Sequence, residues 1–496
     1  MFNSRFVPLR LVALAVSVLT LVTTLSACAV GPDFETPAAP SVTSYDQNGM
    51  PQKTESARTD LGGEQRFKPD GDVPAAWWTL FQSASLSRLI EQAITANPTL
   101  EAANAALRAA EETASASYGG FFPSIDGSAS DDRQKKTSPK PYTLYNASVS
   151  VSYVPDIFGA TRRETESADA KAESARFAVE AAYLTLTSNV VTTAVQEASL
   201  RGQIAAQKDI IAAQQKQLNI TTAQLNAGAI AKTAQMAQTA ALASAQAALP
   251  PLEKQLAVAQ HLMAALCGKF PSEVLDAKFE LSDLKLPEEL PVSLPSKLVE
   301  QRPDIRAARA NLQAANAEIG IALAAMLPQF SLTASYGVSA ARIADLATPG
   351  TALWGLGAGL LQPLFHGGEL LHKKRASVAL FDQAAAQYRA TVLAAFQNVA
   401  DSLKALETDA QALKIQLSAE RAAAATLNLT QQQYKAGAIG YLDLLSAQST
   451  YQTAKIALIK AKAARLADTA ALFQSLGGGW WNRTTEDRGQ KTEDRS

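Results

Sequence analysis

The sequence predicts an α+β membrane protein in which long helices and β-hairpins each occur twice. Three observations predict this class. Most of the chain reads as two related halves, each half has a stretch of 68 residues suited to one long helix, and each half has segments that alternate apolar and polar residues. Together they predict an oligomeric 12-stranded β-barrel, with four strands from each chain, continued by a long α-helical periplasmic barrel.

The N-terminus predicts an export signal and a lipid anchor. Residues 1–27 contain an apolar run, 11–25, that suits a signal peptide and is too short to span a membrane as a helix. One large aliphatic and two small residues then precede Cys28, the pattern that is cleaved and lipidated in bacterial lipoproteins. Ala29 replaces the Asp that retains lipoproteins at the inner membrane, so we expect the outer membrane. The alternative is an ordinary signal peptide with an incidental cysteine.

Comparison of the chain with itself indicates a duplication. At an offset of 205 residues, Asn-Pro at 97–98 corresponds to Arg-Pro at 302–303. At an offset of 209, eight of the 13 positions from 218 to 230 are identical to those of 427–439, and both segments end in Ala-Gly-Ala-Ile. Chance similarity between alanine-rich helices would match scattered alanines, but it would not place Gly, Pro and Asn in a common register.

The duplication sets the expected domains. A lipidated extended segment, 28–76, precedes the first repeat, 77–268, and the second repeat covers 302–476. Prolines break up the linker between them, 269–301. The polar tail, 477–496, is expected to be disordered.

Each repeat is expected to contain a helical hairpin. Residues 160–227 contain a single Gly, and 369–436 contain neither Gly nor Pro, so each can form a helix of up to ~100 Å. Apolar residues between 392 and 417 step alternately by four and three, which predicts a lengthwise packing seam. A return helix follows each long helix; the second covers 441–476, and Pro250-Pro251 predicts a break in the first.

A β-hairpin is expected near 122–154 and another near 327–363. Residues 145–153 and 330–338 alternate apolar with small polar residues, which indicates a sheet with one apolar and one polar face. A soluble sheet packed on a core fits this pattern. In an exported lipoprotein, so does a transmembrane barrel around water.

Four strands per chain favour an oligomer. A membrane does not tolerate an open sheet edge, because unpaired backbone groups find no water there. The smallest single-chain barrels have about eight strands, so several copies must contribute. A homotrimer would supply 12 strands, enough for an open channel, whereas a dimer's eight would be filled by side chains.

Composition argues against several functions. The chain has 45 Lys and Arg against 46 Asp and Glu, so nucleic acid is not an expected partner. Three His and two Cys leave little material for a metal or cofactor site, and none is expected. The sequence has no nucleophile elbow and no Gly-rich phosphate loop, so no enzyme is expected.

Several motifs in fixed order resemble one family. They are CAVGPDF at 28–34, WWTLF at 77–81, NPTL at 97–100, RPDI at 302–305, PLFHGG at 363–368, YKAG at 434–437 and YLDLL at 441–445. In these the chain resembles the outer-membrane factors of tripartite efflux systems, the TolC-type ducts, and specifically their lipoprotein branch. The resemblance covers nearly the whole mature chain. It implies a homotrimer that receives solutes from an inner-membrane pump through a periplasmic adaptor.

The resemblance also implies a gate at the periplasmic end. Tyr434 and Asp443 match the family's closing contacts, and Leu442 and Leu445 would add apolar closure. Ser446 stands where many relatives carry a second Asp, so the gate is expected to hold less charge. Three copies of Asp443, one from each chain, would lie around one axis and form a cation site or an electrostatic sieve. The alternative is a carboxylate that stabilises a helix N-terminus.

The repeated Ala-Gly-Ala-Ile turns resemble the places where adaptor hairpins meet this family. The expected contact residues are Gly228, Ile230, Gly437 and Ile439, although a plain helix-hairpin turn explains them as well. In several relatives an Arg stands at the position of Ile439, so that latch is absent here. The expected function is a passive outer-membrane exit duct, anchored by outer-membrane lipid. A type I-like secretion component and a non-pore coiled-coil scaffold lipoprotein are the alternatives, and the transported substrate stays open.

Overall fold

The computed structural model describes residues 29–46, 49, 51–135, 141–273, 275 and 277–483. The expected signal peptide, 1–27, the expected lipidation site, Cys28, and residues 484–496 of the expected tail lie outside the described residues. Of the helices that the structure describes, none is long and apolar enough to cross a membrane.

Helices dominate the described chain. They are α1 (Ala84–Ala96), α2 (Pro98–Ser117), α3 (Ala160–Asn226), α4 (Lys232–Ala247), α5 (Leu249–Leu266), α6 (Pro295–Gln301), α7 (Pro303–Ala324), α8 (Glu369–Lys435) and α9 (Tyr441–Ser475). The strands are β1 (Arg66–Pro69), β2 (Ser124–Gln134), β3 (Tyr142–Tyr153), β4 (Glu289–Val292), β5 (Gln329–Ala340) and β6 (Ala352–Leu361).

The two long helices occur where the sequence predicts them. Helices α3 and α8 have 67 residues each and end one residue before the predicted limits. The first return helix is divided into α4 and α5 at Ala248, just before Pro250-Pro251, whereas α9 runs without a break. The reason is that proline lacks the N–H that continues a helix and is tolerated only in its first turn.

The chain divides into two compact units. One comprises the described parts of 1–37, 105–176 and 307–390 and contains the sheet β2-β3-β5-β6. All three strand pairs in this sheet are antiparallel, and the two predicted hairpins meet where β3 pairs with β5. The four predicted strands therefore form one sheet, whose outer strands are β2 and β6.

The second unit comprises the described parts of 38–104, 177–306 and 391–496. Its core includes Trp77, which is fully buried and stacks on Phe473 with 5.4 Å between the ring centroids. The predicted seam on α8 is mostly buried: Val392, Val399, Leu403, Leu406, Ala410, Leu413 and Leu417. The remaining seam residue, Phe396, is half-buried and packs on Tyr45 at 5.6 Å.

The linker is more regular than the prolines suggest. Within 269–301 the structure has strand β4, which pairs in parallel with β1 of the N-terminal segment, and helix α6. The expectation of an irregular linker is wrong for these residues. Pro295 starts α6, where its missing N–H is harmless. Pro291 lies in β4, which is an edge strand because β1 is its one strand partner among the described residues.

The tail that was expected to be disordered from residue 477 is folded at its start. Gly477, Gly478 and Gly479 all have positive φ and reverse the chain after α9. Trp480 is then buried, packs edge-on against Phe177 at 5.6 Å and donates its indole N–H to a backbone carbonyl at 2.5 Å. Residues 477–483 are therefore folded, because a large aromatic side chain finds a pocket in the second unit.

A buried arginine holds the N-terminal segment within the second unit. Arg465 on α9 is 1% exposed and donates to the carbonyl oxygens of Leu61 and Gly63, each at 2.9 Å, and to Gln65 Oε1 at 2.9 Å. Burial lowers the pKa of Arg465 to about 10, so the guanidinium remains charged at neutral pH. The segment expected to be merely extended is thus tied to a long-range partner.

Candidate functional site

The two Ala-Gly-Ala-Ile turns have the same backbone geometry. Gly228 and Gly437 adopt φ of 71° and 72° directly after the long helices. Each glycine N–H donates to the carbonyl three residues earlier, and the next N–H donates to the carbonyl five residues earlier, at 2.9 and 2.8 Å in the first turn and 3.0 and 2.9 Å in the second. This is the Schellman ending of a helix, and its left-handed residue favours glycine.

The turns present small exposed backbones. Both glycines are exposed, and a Cβ added to either would meet nothing within 4 Å. Ile230 and Ile439 are half-buried. The four expected adaptor residues therefore form two equivalent apolar-edged turns in the second unit, each accessible to a partner.

Tyr434 connects the last turns of the two long helices. Its hydroxyl donates to Gln224 Oε1 on α3 at 3.0 Å. Its ring meets the ring of Tyr441 edge-on, with 5.9 Å between centroids and an interplanar angle of 65°. Such aromatic pairs are worth about 0.5–1.5 kcal/mol beyond their buried area. Tyr434 thus links α8 to both α3 and the start of α9.

A buried polar chain extends this link, and sequence reasoning missed it. Tyr441 is 8% exposed and its hydroxyl hydrogen-bonds to Gln238 Oε1 on α4. The fully buried Gln238 in turn donates to the carbonyl oxygen of Gln214 at 2.7 Å and to its Oε1 at 2.6 Å. Burial, with a smaller contribution from Tyr434, raises the pKa of Tyr441 to about 12, so this phenol stays protonated.

Asp443 occupies the first turn of α9. Its Oδ2 accepts a hydrogen bond from the N–H of Gly440 at 3.1 Å, which caps the helix, while the side chain stays exposed. The helix-terminus interpretation of Asp443 is therefore confirmed. The other carboxylate oxygen of Asp443 has no hydrogen-bond partner among the described residues. In the first repeat, Ala234 occupies the position that corresponds to Asp443. Of this pair of equivalent positions, therefore, only the one in the second repeat carries a carboxylate.

The remaining expected gate residues differ in accessibility. Leu442 is 70% exposed, Ser446 is exposed, and Leu445 is half-buried. Leu444, which was not among the expected residues, is 1% exposed and anchors the turn in the second unit. Tyr434 is the member of this set with a hydrogen bond and a ring contact to other helices of the described chain.

The sheet of the first unit has two chemically distinct faces. Apolar rows cross all four strands; one consists of Ile125, Val151, Ala334 and Leu356, and the next of Gly127, Val149, Tyr336 and Trp354. The adjacent rows, on the opposite face, are Ser124, Ser152, Thr333 and Gly357, then Asp126, Ser150, Ser335 and Gly355. Large apolar residues are left uncovered, with Trp354 75% and Leu356 78% exposed.

Comparison with known proteins matches most of the chain. The family model described as outer membrane efflux protein matches residues 89–269 and 294–478. The chain is 29% identical over 416 residues to the pyoverdine export outer membrane protein OpmQ of Pseudomonas aeruginosa, covering 82% of this chain and 87% of that protein. It is 27% identical over 482 residues to the outer membrane protein OprJ of the same species, covering 95% and 97%.

Solved structures agree in fold. The outer-membrane channel OprN superimposes with a TM-score of 0.81 at 26% identity, covering 91% of this chain and 100% of that one. The open-state MtrE outer membrane channel of Neisseria gonorrhoeae gives a TM-score of 0.78 at 25% identity, covering 92% and 100%.

Proposed function

Because the chain belongs to the outer membrane efflux protein family and serves as the outer-membrane component of an efflux system, we propose that three copies form its exit duct. The family resemblance drawn from the sequence is thereby confirmed, and the family consists of channel proteins rather than enzymes. Each chain contributes its four strands to a 12-stranded barrel, and the long helices α3 and α8 continue the duct into the periplasm. Type I-like secretion and a non-pore scaffold are not favoured by these relatives.

The uncovered apolar face of the sheet carries this proposal. Tyr336, Trp354 and Leu356 are 62%, 75% and 78% exposed on one face, while the other face carries Ser, Thr, Gly and Asp. An apolar outer face around a polar interior is the pattern of a barrel in lipid. The outer strands β2 and β6 lack a second partner within the described chain, and a membrane requires that partner. Neighbouring copies supply it when β2 of one pairs with β6 of the next.

The gate is proposed at the ends of the long helices. Tyr434, Leu442, Asp443, Leu445 and Ser446 surround the start of α9, and three copies bring three Asp443 carboxylates around one axis. The Tyr434–Gln224 hydrogen bond supports this assignment, because moving α8 away from α3 would break it. Carboxylates repeated around a pore favour cations.

The adaptor is proposed to bind the two equivalent turns. Gly228, Ile230, Gly437 and Ile439 are supported by their exposed glycine backbones and half-buried isoleucines. The adaptor in turn delivers solutes from an inner-membrane pump. Acyl chains on Cys28 are proposed to anchor each copy in outer-membrane lipid.

Single-channel recording of the purified protein in planar bilayers tests the duct and the gate together. Wild type is compared with Asp443→Asn, which removes the charge but keeps an oxygen that accepts the Gly440 N–H. We expect cation-preferring pores in wild type and a lower cation preference, read from the reversal potential in a salt gradient, in the variant. Asp401→Asn on the exposed surface of α8 is the control.

Each outcome is decisive for one part of the proposal. Pores with unchanged ion preference in Asp443→Asn would keep the duct and remove Asp443 from the gate. A folded trimer that never inserts or conducts would contradict the duct itself.

A further inference from the structure

A buried arginine in the first unit holds the residues that directly follow Cys28. The side chain of Arg163 on α3 is 5% exposed. It donates to the carbonyl oxygens of Val30 at 3.2 Å and Gly31 at 3.3 Å and forms ion pairs with Asp33 and Glu166, both at 2.7 Å. All three donor nitrogens of the guanidinium are therefore used, and three of its four partners lie in residues 29–33.

Helix α7 contacts the same residues as Arg163 of α3 does. On α7, Asn316 donates to the carbonyl oxygen of Pro32 at 2.8 Å, and a Cβ at Gly320 would lie 2.7 Å from Arg163 Cγ and 2.9 Å from the Val30 oxygen. A Cβ at Gly31 would lie 2.6 Å from Gly320 Cα. Contact this close to backbone leaves no room for a side chain, so α7 admits the segment only because both positions are glycine.

Residues 29 and 30 also contact the loop between β3 and α3. The N–H of Val30 donates to the carbonyl oxygen of Phe158 at 3.0 Å, and Ala29 lies against Gly159, where a Cβ would be 2.6 Å from Ala29 Cα. Ala29 is therefore fixed against the residue that precedes α3, in the short loop that joins β3 to this helix. Ala29 is the residue that directly follows Cys28 in the sequence.

We propose that residues 29–33 and Arg163 form an anchor clamp, which ties the acyl chains on Cys28 to the β-sheet so that lipid and strands enter the membrane as one body. The inference rests on the proposed lipidation of Cys28 and on the proposed barrel. Without the clamp, the acyl chains would be attached to a segment that is not held against the first unit, and their membrane affinity would not position β2, β3, β5 and β6 at the bilayer. Arg163 is a positioning residue in this account, since it acts through the segment it binds.

A double-mutant cycle tests the coupling. Arg163→Lys keeps the charge but cannot contact all four acceptors, and Cys28→Ser behind an ordinary signal peptide removes the acyl chains. The readouts are hydrogen exchange of the peptide containing Val30 and the fraction of full-length chain recovered as membrane-inserted trimer. Lys171→Ala is the matched control, because Lys171 joins the same helices through Glu318 at 2.8 Å and forms no hydrogen bond or ion pair with residues 29–33 in the described chain.

The expected result is release of the segment with loss of coupling. Exchange at Val30 rises about tenfold in Arg163→Lys, as expected for losing one charge-assisted hydrogen bond, while the control is unchanged. Each of the two single variants lowers the inserted fraction several-fold. The double variant inserts no less than the single variant with the lower inserted fraction. Gly320→Ala, which pushes on Arg163 and Val30 from α7, reproduces Arg163→Lys and serves if the lysine variant does not fold.

Other results would overturn the clamp. Faster exchange at Val30 with normal insertion would show that the segment does not transmit the anchor. Losses that multiply in the double variant would show that clamp and lipid act independently. Conductance separates failure of the clamp from failure of the proposed duct. Inserted Arg163→Lys trimers are expected to conduct like wild type. Wild-type trimers that do not conduct would refute the duct, and the insertion measurements would still test the clamp.

Discussion

Replacing Tyr434 with Phe should shift the duct toward its open state. The change removes the hydroxyl that donates to Gln224 Oε1 at 3.0 Å and keeps the ring against Tyr441 at 5.9 Å. One such partly buried hydrogen bond contributes about 1 kcal/mol, which is about a fivefold change in a closed-to-open ratio. If three chains open together, the sum of about 3 kcal/mol corresponds to about 150-fold.

Open probability in planar bilayers measures this shift directly. Tyr451→Phe is the matched control, because Tyr451 lies on α9 as well and its hydroxyl makes no hydrogen bond with the described residues. We expect the control to behave like wild type. Hydrogen exchange at the end of α8 provides a second readout, and exchange there should accelerate in Tyr434→Phe and stay unchanged in Tyr451→Phe.

Tyr434 does not control opening if its hydrogen bond to Gln224 is equally strong in the open and closed states. Unchanged open probability together with faster exchange at the end of α8 would mean that Tyr434 stabilises the helix ends equally in open and closed ducts. A shift of about fivefold rather than about 150-fold would mean that the chains open one at a time.

Two further predictions concern titratable groups in the second unit. Burial and a hydrogen bond with Asp409 raise the pKa of Asp468 to about 7 from 3.8, so the folded chain retains a proton that the unfolded chain releases. The stability of α9 should therefore fall as pH rises from about 4 to 7, and hydrogen exchange should show this slope in wild type and a flatter one in Asp468→Asn. Burial also raises the pKa of Cys267 to about 11 from 9.0, so maleimide at pH 8 should label the native thiol at least about 100-fold more slowly than the denatured one. Equal labelling rates would show that Cys267 is accessible.

Local pattern was enough to predict the regular elements. The absence of Gly and Pro from 369–436 and the alternation at 145–153 and 330–338 identify α8, β3 and β5 closely, because helix and strand periods depend on residues near in sequence. The break between α4 and α5 follows likewise from Pro250-Pro251. Pairing of β1 with β4 was not predictable, because their residues are more than 200 positions apart and neither strand has a distinctive pattern.

The candidate site was predictable only in part. The family motifs identify Tyr434, and the two turns follow from a glycine after each long helix. Gln214 and Gln238 carry no such signal, because a buried glutamine on an alanine-rich helix looks like a surface residue until its partner is known.

The sequence by itself determined the duplication, the long helices, the four strands and their two chemically distinct faces, because each depends on the order of apolar, polar and helix-breaking residues along a short stretch. Only the tertiary structure decided that Arg163 and Arg465 hydrogen-bond to the N-terminal segment and that Trp480 packs against Phe177. These contacts join residues far apart in the chain. The arginines are stabilised by backbone carbonyls that surround the buried charge, and Trp480 is stabilised by a pocket that encloses its ring. Both environments exist only after the helices have packed.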